Sequence, residues 1–263
     1  MHANIWRTLG ASVLISIVSN SAIAQHVDFR ITTDVFVEGQ KEPVSQTKTI
    51  FMDGVAYDFP MGSNPEITLI DPDHGRIMLL DTEKQLHTEI SLQDLLNSVQ
   101  RMRSQATGGK LAIFVQDAEV TLKKLDANRI TVGKNVIQYD ATLAKPNEDA
   151  DAANIARQFR YFADASACLN AWQRQSPPPF ARLNLNEEIE KAAAIPENIT
   201  RITKTSDQEV VVKCIIHSNW ILPADDKAEV KKVGQMLASY TQVTPAEYER
   251  RHAAALPGAP VKR

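Results

Sequence analysis

Alternation of apolar and polar residues dominates the first part of the chain and predicts β-strands. Val27, Phe29 and Ile31 alternate with polar residues, and the same period of two continues to Val37. Such a period is typical of a strand with one buried face. Five further strands are predicted at 44–52, 55–59, 67–71, 76–81 and 85–90, each bounded by residues typical of turns. The linkers between them are too short for parallel connections, so we expect an antiparallel meander of six strands.

The clearest turn in this region is Asp53-Gly54, between the second and third strands. A two-residue loop of this composition suits a type I′ turn, which predicts a β-hairpin. The segment 71–75 (Asp-Pro-Asp-His-Gly) also has turn composition. A calcium-binding EF-hand loop would have its glycine at the sixth position, whereas here the glycine is fifth, so a plain β-turn is favoured.

The rest of the chain mixes helical and strand patterns. Ser91 and Asp94 predict a capped helix start, and an apolar stripe continues that helix to Met102. Further strands are predicted at 111–115, 119–122, 129–132, 137–143, 199–204 and 209–222, and further helices at 149–172, 186–194, 223–240 and 244–252. Pro223 is expected at the first helical position. The last strands need a sheet to join, which favours a single α+β domain.

The first 24 residues have the pattern of a secretory signal peptide. Arg7 precedes an uncharged run from 8 to 18, and Ala22-Ile23-Ala24 places small residues before a cut between Ala24 and Gln25. The apolar run is shorter than the roughly 20 residues that a membrane-spanning helix needs. Gln25 stands where a lipoprotein would carry an acylated cysteine, so we expect no stable membrane anchor after cleavage.

These patterns divide the chain into three parts: a signal peptide at 1–24, a single domain at 25–255 and a flexible tail at 256–263. The expected location is extracytoplasmic, either periplasmic or secreted. Removal of the signal peptide changes the formal net charge from -3 to -4, since Arg7 is its only charged residue. A chain with this charge has no basic field for nucleic acid, and we expect no such partner.

Two cysteines, Cys168 and Cys214, are present in the whole chain. Export would bring them into a compartment that permits disulfides. A bridge between them would stabilise the fold by about 4 kcal/mol on a chain-entropy model. Two buried thiols that never meet are an equally good interpretation, because cysteine is among the most buried residue types.

No catalytic, metal or cofactor motif is present. The chain lacks a Gly-x-Ser-x-Gly segment, and burial in apolar surroundings would raise the pKa of each cysteine. His74, His87 and His217 do not form the paired spacing of a zinc-binding helix. The sequence therefore assigns no catalytic or metal-binding residue, predicts no cofactor, and leaves any ligand-binding residues unknown.

The order of these elements resembles the half-barrel of periplasmic lipoprotein carriers and lipoprotein-binding proteins, the LolA-like fold. The chain also resembles uncharacterised exported bacterial proteins in three stretches, which are residues 51–59 (FMDGVAYDF), 71–76 (DPDHGR) and 178–183 (PPFARL). The resemblance implies a curved antiparallel sheet covered by helices. It transfers no binding residue.

Two functions follow from that resemblance. In the first, the concave face of the curved sheet binds a lipid, a lipoprotein or another hydrophobic ligand. In the second, the same apolar face is filled by the helices, and the protein is a non-enzymatic structural or interaction module of the cell envelope. An enzyme would require polar residues brought together from distant parts of the chain.

Overall fold

The computed structural model describes residues 26–62, 66–123, 128–146, 151–173, 176–204 and 208–253. The predicted signal peptide, its cut between Ala24 and Gln25, the turn at 206–207 and the tail at 256–263 lie outside these residues. The strands are β1 (Phe29–Val37), β2 (Ser45–Met52), β3 (Val55–Pro60), β4 (Glu66–Asp71), β5 (Arg76–Asp81), β6 (Leu86–Ser91), β7 (Thr121–Lys123), β8 (Arg129–Gly133), β9 (Ile137–Ala144), β10 (Ile195–Lys204), β11 (Glu209–Asn219) and β12 (Thr241–Gln242). The helices are α1 (Leu92–Ser104), α2 (Gly109–Ala118), α3 (Ala152–Trp172), α4 (Phe180–Lys191), α5 (Ala224–Ser239) and α6 (Pro245–Ala253).

All twelve strands belong to one open, curved sheet, which confirms the predicted α+β class. The strand order is β12-β6-β5-β4-β3-β2-β1-β11-β10-β9-β8-β7. The predicted six-stranded meander is confirmed as β1 to β6, and β7 to β11 form a second meander. Antiparallel pairing of β1 with β11 joins the two, whereas the two-residue β12 pairs with β6 in parallel.

The hairpin between β2 and β3 has the predicted turn. Asp53 and Gly54 both have positive φ, 52° and 79°, as a type I′ turn requires. The segment 71–75 is also a turn, in which the backbone N–H groups of His74 and Gly75 donate to Asp71 and Pro72. These local signals are strong because few residue types tolerate positive φ or satisfy a turn from their own side chain.

The sheet bends around the helices α1 to α4. Leu86 on β6 and Val132 on β8 belong to the same buried cluster as residues of α3. These two strands lie nine places apart in the sheet, which in a flat sheet would separate them by roughly 43 Å. A shared core across that span requires curvature, so the face against these four helices is the concave face.

The convex face carries a second, smaller core under α5. Val230 and Val233 of α5 pack against Ile50 and Leu80 of the sheet. The same helix is fixed by ion pairs, because the carboxylate of Asp226 contacts Arg30 at 2.9 Å and Lys48 at 3.2 Å. Burial of that carboxylate is offset by two cationic partners, as a buried charge requires.

Three sequence predictions need correction. The strand predicted at 111–115 is part of helix α2, because a short apolar run does not distinguish the two structures and packing against α4 decides it. The helix predicted at 186–194 instead spans Phe180–Lys191 and begins directly after Pro177-Pro178-Pro179. Pro223 is the N-cap of α5 rather than its first helical residue, since its ψ of 156° is extended.

Candidate ligand pockets on the concave face

Helix α3 lies along the concave face and shapes every pocket discussed here. Its apolar residues recur at helical spacing, and Ile155, Phe159 and Leu169 are buried in the core. Asp151 caps the helix by accepting a hydrogen bond from the backbone N–H of Asn154 at 3.1 Å. Three pockets follow the helix from its first turn to its last, and we call them the N-terminal, arginine and aspartate pockets.

The N-terminal pocket, of about 150 Å³, lies between the start of α3 and the turns at 53–54 and 71–75. His26 contacts Asp73 across its rim, with 3.3 Å between Nε2 and Oδ2. Gln158 donates to the carbonyl of Val27 at 3.3 Å, and its buried Oε1 has no hydrogen-bond partner among the described residues. The remaining wall is largely apolar and ends at Phe162.

The arginine pocket, of about 160 Å³, begins on the other side of Phe162. It is lined by Arg182 of α4 and by Arg201 of β10, together with apolar side chains of α3 and β11. Strand register explains the position of Arg201, because β10 places it opposite Tyr139 of β9 and Val212 of β11 on the concave face. The described residues that line this pocket include no carboxylate.

Electrostatic effects in the arginine pocket follow from its two guanidinium groups. Burial raises the pKa of Tyr139, and Arg182 together with a hydrogen bond from Arg201 opposes that rise. Burial also raises the pKa of the Cys214 thiol, again against the two arginines. Arg182 is oriented by Asn186, whose Oδ1 accepts its Nε–H at 2.8 Å.

The aspartate pocket is the most polar of the three and the largest, at about 360 Å³. Its polar lining includes Ser45, Thr47, Asp58, Thr68, Asn170 and Gln173. Burial raises the pKa of Asp58, although hydrogen bonds from Thr49 and Thr47 counteract part of the rise. The Thr49 hydroxyl donates to Asp58 at 2.6 Å. Glu66 lines the same pocket and accepts a hydrogen bond from Tyr248 of α6 at 2.8 Å.

Shared lining residues make the three pockets neighbours along α3. Phe162 lines both the N-terminal and the arginine pockets, and Asn170 lines both the arginine and the aspartate pockets. The arginine pocket thus adjoins the largely apolar N-terminal pocket at Phe162 and, at Asn170, a pocket that is rich in hydroxyl and carboxyl groups. This arrangement can accommodate a molecule with an apolar part and a polar end.

The predicted cysteine pair is placed on facing elements. Cys168 is buried in α3, and Cys214 is half-buried on β11 and packs against the same core. Both are free thiols in the structure. Burial raises the pKa of Cys168 to about 12. The two interpretations of the pair, a bridge or two buried thiols, are distinguished by a thiol titration of the exported protein.

The three histidines considered as metal ligands lie on different parts of the sheet. His74 is in the turn between β4 and β5, where its Nδ1 lies 2.9 Å from Asp71. His87 is on β6, and His217 is on β11, four strands away from β4.

No helix in the described part of the chain is long and apolar enough to cross a lipid bilayer.

Three charged residues of these pockets, Asp58, Arg182 and Arg201, were not predicted from the sequence as site residues. Two of them, Asp58 and Arg182, lie within the stretches 51–59 and 178–183 on which the resemblance to exported bacterial proteins was based. Arg201 had a signal of its own. It shares one face of β10 with Ile199 and Thr203, opposite Val212 of β11, which places a charge where an apolar residue is expected.

Comparisons with known proteins add little. No protein-family model matches the chain, and no curated protein matches it. One solved structure that it resembles is that of PNGF-II, with a TM-score of 0.36 and 10% identity over 86% of this chain and 32% of that chain. The chain thus spans about a third of the PNGF-II chain, and a likeness this low carries no argument about function.

Proposed function

We propose that this chain is an exported, soluble binding protein that holds a lipid, a lipoprotein acyl chain or another hydrophobic ligand on its concave face. The observation that supports the proposal is the pair of largely apolar pockets along α3, which have Phe162 as a common lining residue. A LolA-like relationship and an extracytoplasmic location are parts of the same proposal, and the signal-peptide pattern that ends at Ala24 supports the second part.

The size of the pockets limits how such a ligand would bind. Binding pockets for small molecules usually have about 300–1,000 Å³, and a dry cavity of about 150 Å³ holds only a molecule such as benzene. The N-terminal and arginine pockets have about 150 and 160 Å³. One acyl chain would therefore need both, and the Phe162 side chain between them would have to turn aside.

A pocket-filling substitution tests this proposal. Ala167 of α3 lines the arginine pocket, so Ala167→Phe should occupy it. Ala153→Phe is the matched control, since Ala153 is exposed in the first turn of the same helix. We expect a fluorescent fatty acid to bind saturably to the wild type and to Ala153→Phe, and to lose its affinity for Ala167→Phe. Equal binding by all three proteins, or none by the wild type, would contradict the proposal.

A structural or interaction module is the second candidate, and the filled part of the concave face favours it. The rings of Phe29 and Phe51 stack with centroids 4.1 Å apart, and Phe162 contacts Phe51 edge-on at 5.6 Å. These aromatic contacts fill the part of the concave face beside the N-terminal pocket, which Phe51 and Phe162 line. If the second candidate is right, crosslinking in the native envelope should capture a protein partner, and the purified protein should bind no acyl probe.

A further inference from the structure

Arginines in the described part of the chain differ in whether a carboxylate forms an ion pair with them. Arg30, Arg129 and Arg160 each form an ion pair with a carboxylate. Neither Arg182 nor Arg201 forms one with any described residue, although each lies in a partly enclosed site. Asp164 interacts electrostatically with Arg182, and Arg201 forms a hydrogen bond with Tyr139. These partners offset only part of the cost of desolvating two guanidinium groups beside apolar side chains, so the arrangement favours a bound anion.

Two buried polar atoms on β10 lack hydrogen-bond partners, one in the arginine pocket and one two residues further along the strand. The Nε of Arg201 and the Oγ1 of Thr203 are both buried, and neither has a hydrogen-bond partner among the described residues. Both side chains lie on the concave face, because Arg201 pairs with Val212 and Thr203 with Val210. Buried polar groups are nearly always hydrogen-bonded, so the unpartnered Nε of Arg201, which lines the pocket, indicates a bound group that accepts from it.

The orientation of Arg182 is fixed by a short chain of hydrogen bonds. Asn186 accepts from the Nε of Arg182 and donates its own amide to Asp164 at 2.7 Å. Asp164 in turn contacts Arg160 at 3.3 Å. This chain uses only the Nε–H of Arg182 and leaves the other four guanidinium donors for a ligand.

We propose that Arg182 and Arg201 bind the anionic end group, a carboxylate or a phosphate, of an amphipathic ligand. The inference rests on the function proposed above and adds the chemical class of the ligand. Arginine suits this role because its planar donors match both oxyanions in a bidentate geometry. The apolar part of the ligand would lie against Phe162, Ile199 and Val212, which line the same pocket.

The test compares ligands that differ only at the end group. Calorimetric titrations in phosphate-free buffer would use a medium-chain fatty acid, the primary alcohol of the same chain length and inorganic phosphate. We expect the wild type to bind the acid on the order of tenfold more tightly than the alcohol, as one charge-assisted contact allows. Arg182→Gln and Arg201→Gln should each lose about that tenfold preference and keep their affinity for the alcohol.

Two further variants make the result specific. Arg250→Gln, at an exposed position of α6, should change neither affinity. Arg201→Lys retains the charge and should recover part of the preference for the acid. If Arg201→Gln does not fold, Arg182→Gln and Arg201→Lys still decide the question.

Each remaining outcome overturns a different statement. Equal affinity of the wild type for the acid and the alcohol would overturn the anion site and leave the binding function intact. Absence of binding by both would overturn the binding function itself. Inorganic phosphate that binds as tightly as the fatty acid would overturn the amphipathic ligand, because the site would then recognise a free anion.

Discussion

The substitution Asp117→Asn should destabilise the fold strongly at neutral pH. Asp117 is fully buried at the end of α2, and its carboxylate accepts four hydrogen bonds from the turn between β8 and β9. Oδ1 accepts from the backbone and side-chain nitrogens of Asn135, and Oδ2 accepts from the backbone N–H groups of Val136 and Ile137 at 2.7 and 2.9 Å. This turn fixes β9, which carries Tyr139 into the arginine pocket.

The expected loss follows from counting donors. Asparagine retains one oxygen, so it can accept from Asn135 but presents an amide to the N–H groups of Val136 and Ile137. Each buried donor left without a partner costs about 1–3 kcal/mol, so we expect a loss of about 2–4 kcal/mol after some relaxation. That is a large part of the roughly 5–15 kcal/mol by which domains are stable.

Urea unfolding as a function of pH measures this effect. Burial alone would raise the pKa of Asp117, but the hydrogen bonds from Ile137, Asn135 and Val136 hold it below its usual range. A lowered pKa gives stability above the unfolded value, near 3.9, which is lost as pH falls through the folded value. The gap between wild type and variant should therefore narrow below about pH 4.

The control for this prediction is Asp225→Asn, at an exposed position in the first turn of α5. It should cost less than about 1 kcal/mol, because it removes only an interaction with the helix dipole. A loss for Asp117→Asn no larger than that of the control at pH 7 would refute the reasoning.

Three further predictions concern the turn, the aspartate pocket and the thiols. Gly54→Ala should lower the melting temperature more than Gly39→Ala. Both glycines have positive φ, but only at Gly54 would an added Cβ meet a side chain, the His26 ring at 2.6 Å. Equal decreases in melting temperature would contradict this prediction. Asp58→Asn should be more stable than the wild type to urea at pH 7, because burial raises the pKa of Asp58 and its ionisation therefore opposes folding. The difference in free energy of unfolding should shrink as pH falls toward about pH 4. A difference that does not change with pH would contradict this prediction. A thiol titration of the denatured chain should detect two thiols, since Cys168 and Cys214 are both free in the structure. A titration that detects no thiol would demonstrate a disulfide.

Local signals made much of the sheet predictable from sequence. The alternation from Val27 to Val37, the Asp53-Gly54 turn and the Ser91 cap each depend on neighbouring residues alone, and the structure has all three features. Helix α2 was missed because its apolar run is short, and contacts with α4 decide its conformation.

The pockets were not predictable in the same way. The arginine pocket combines Arg182 from α4, Arg201 from β10 and Tyr139 from β9, and no spacing in the sequence links these positions. They meet because β10 and β11 fold back beside β9 after two intervening helices. A site assembled by topology becomes visible only when the strand order is known.

The most direct test of the central claim is native mass spectrometry of the protein purified from its own envelope without added detergent. The account predicts a mass above that of the chain beginning at Gln25, with the excess released on unfolding as an amphipathic molecule that carries a carboxylate or a phosphate. A spectrum with only the mass of the unliganded chain, together with an organic extract free of lipid, would contradict it.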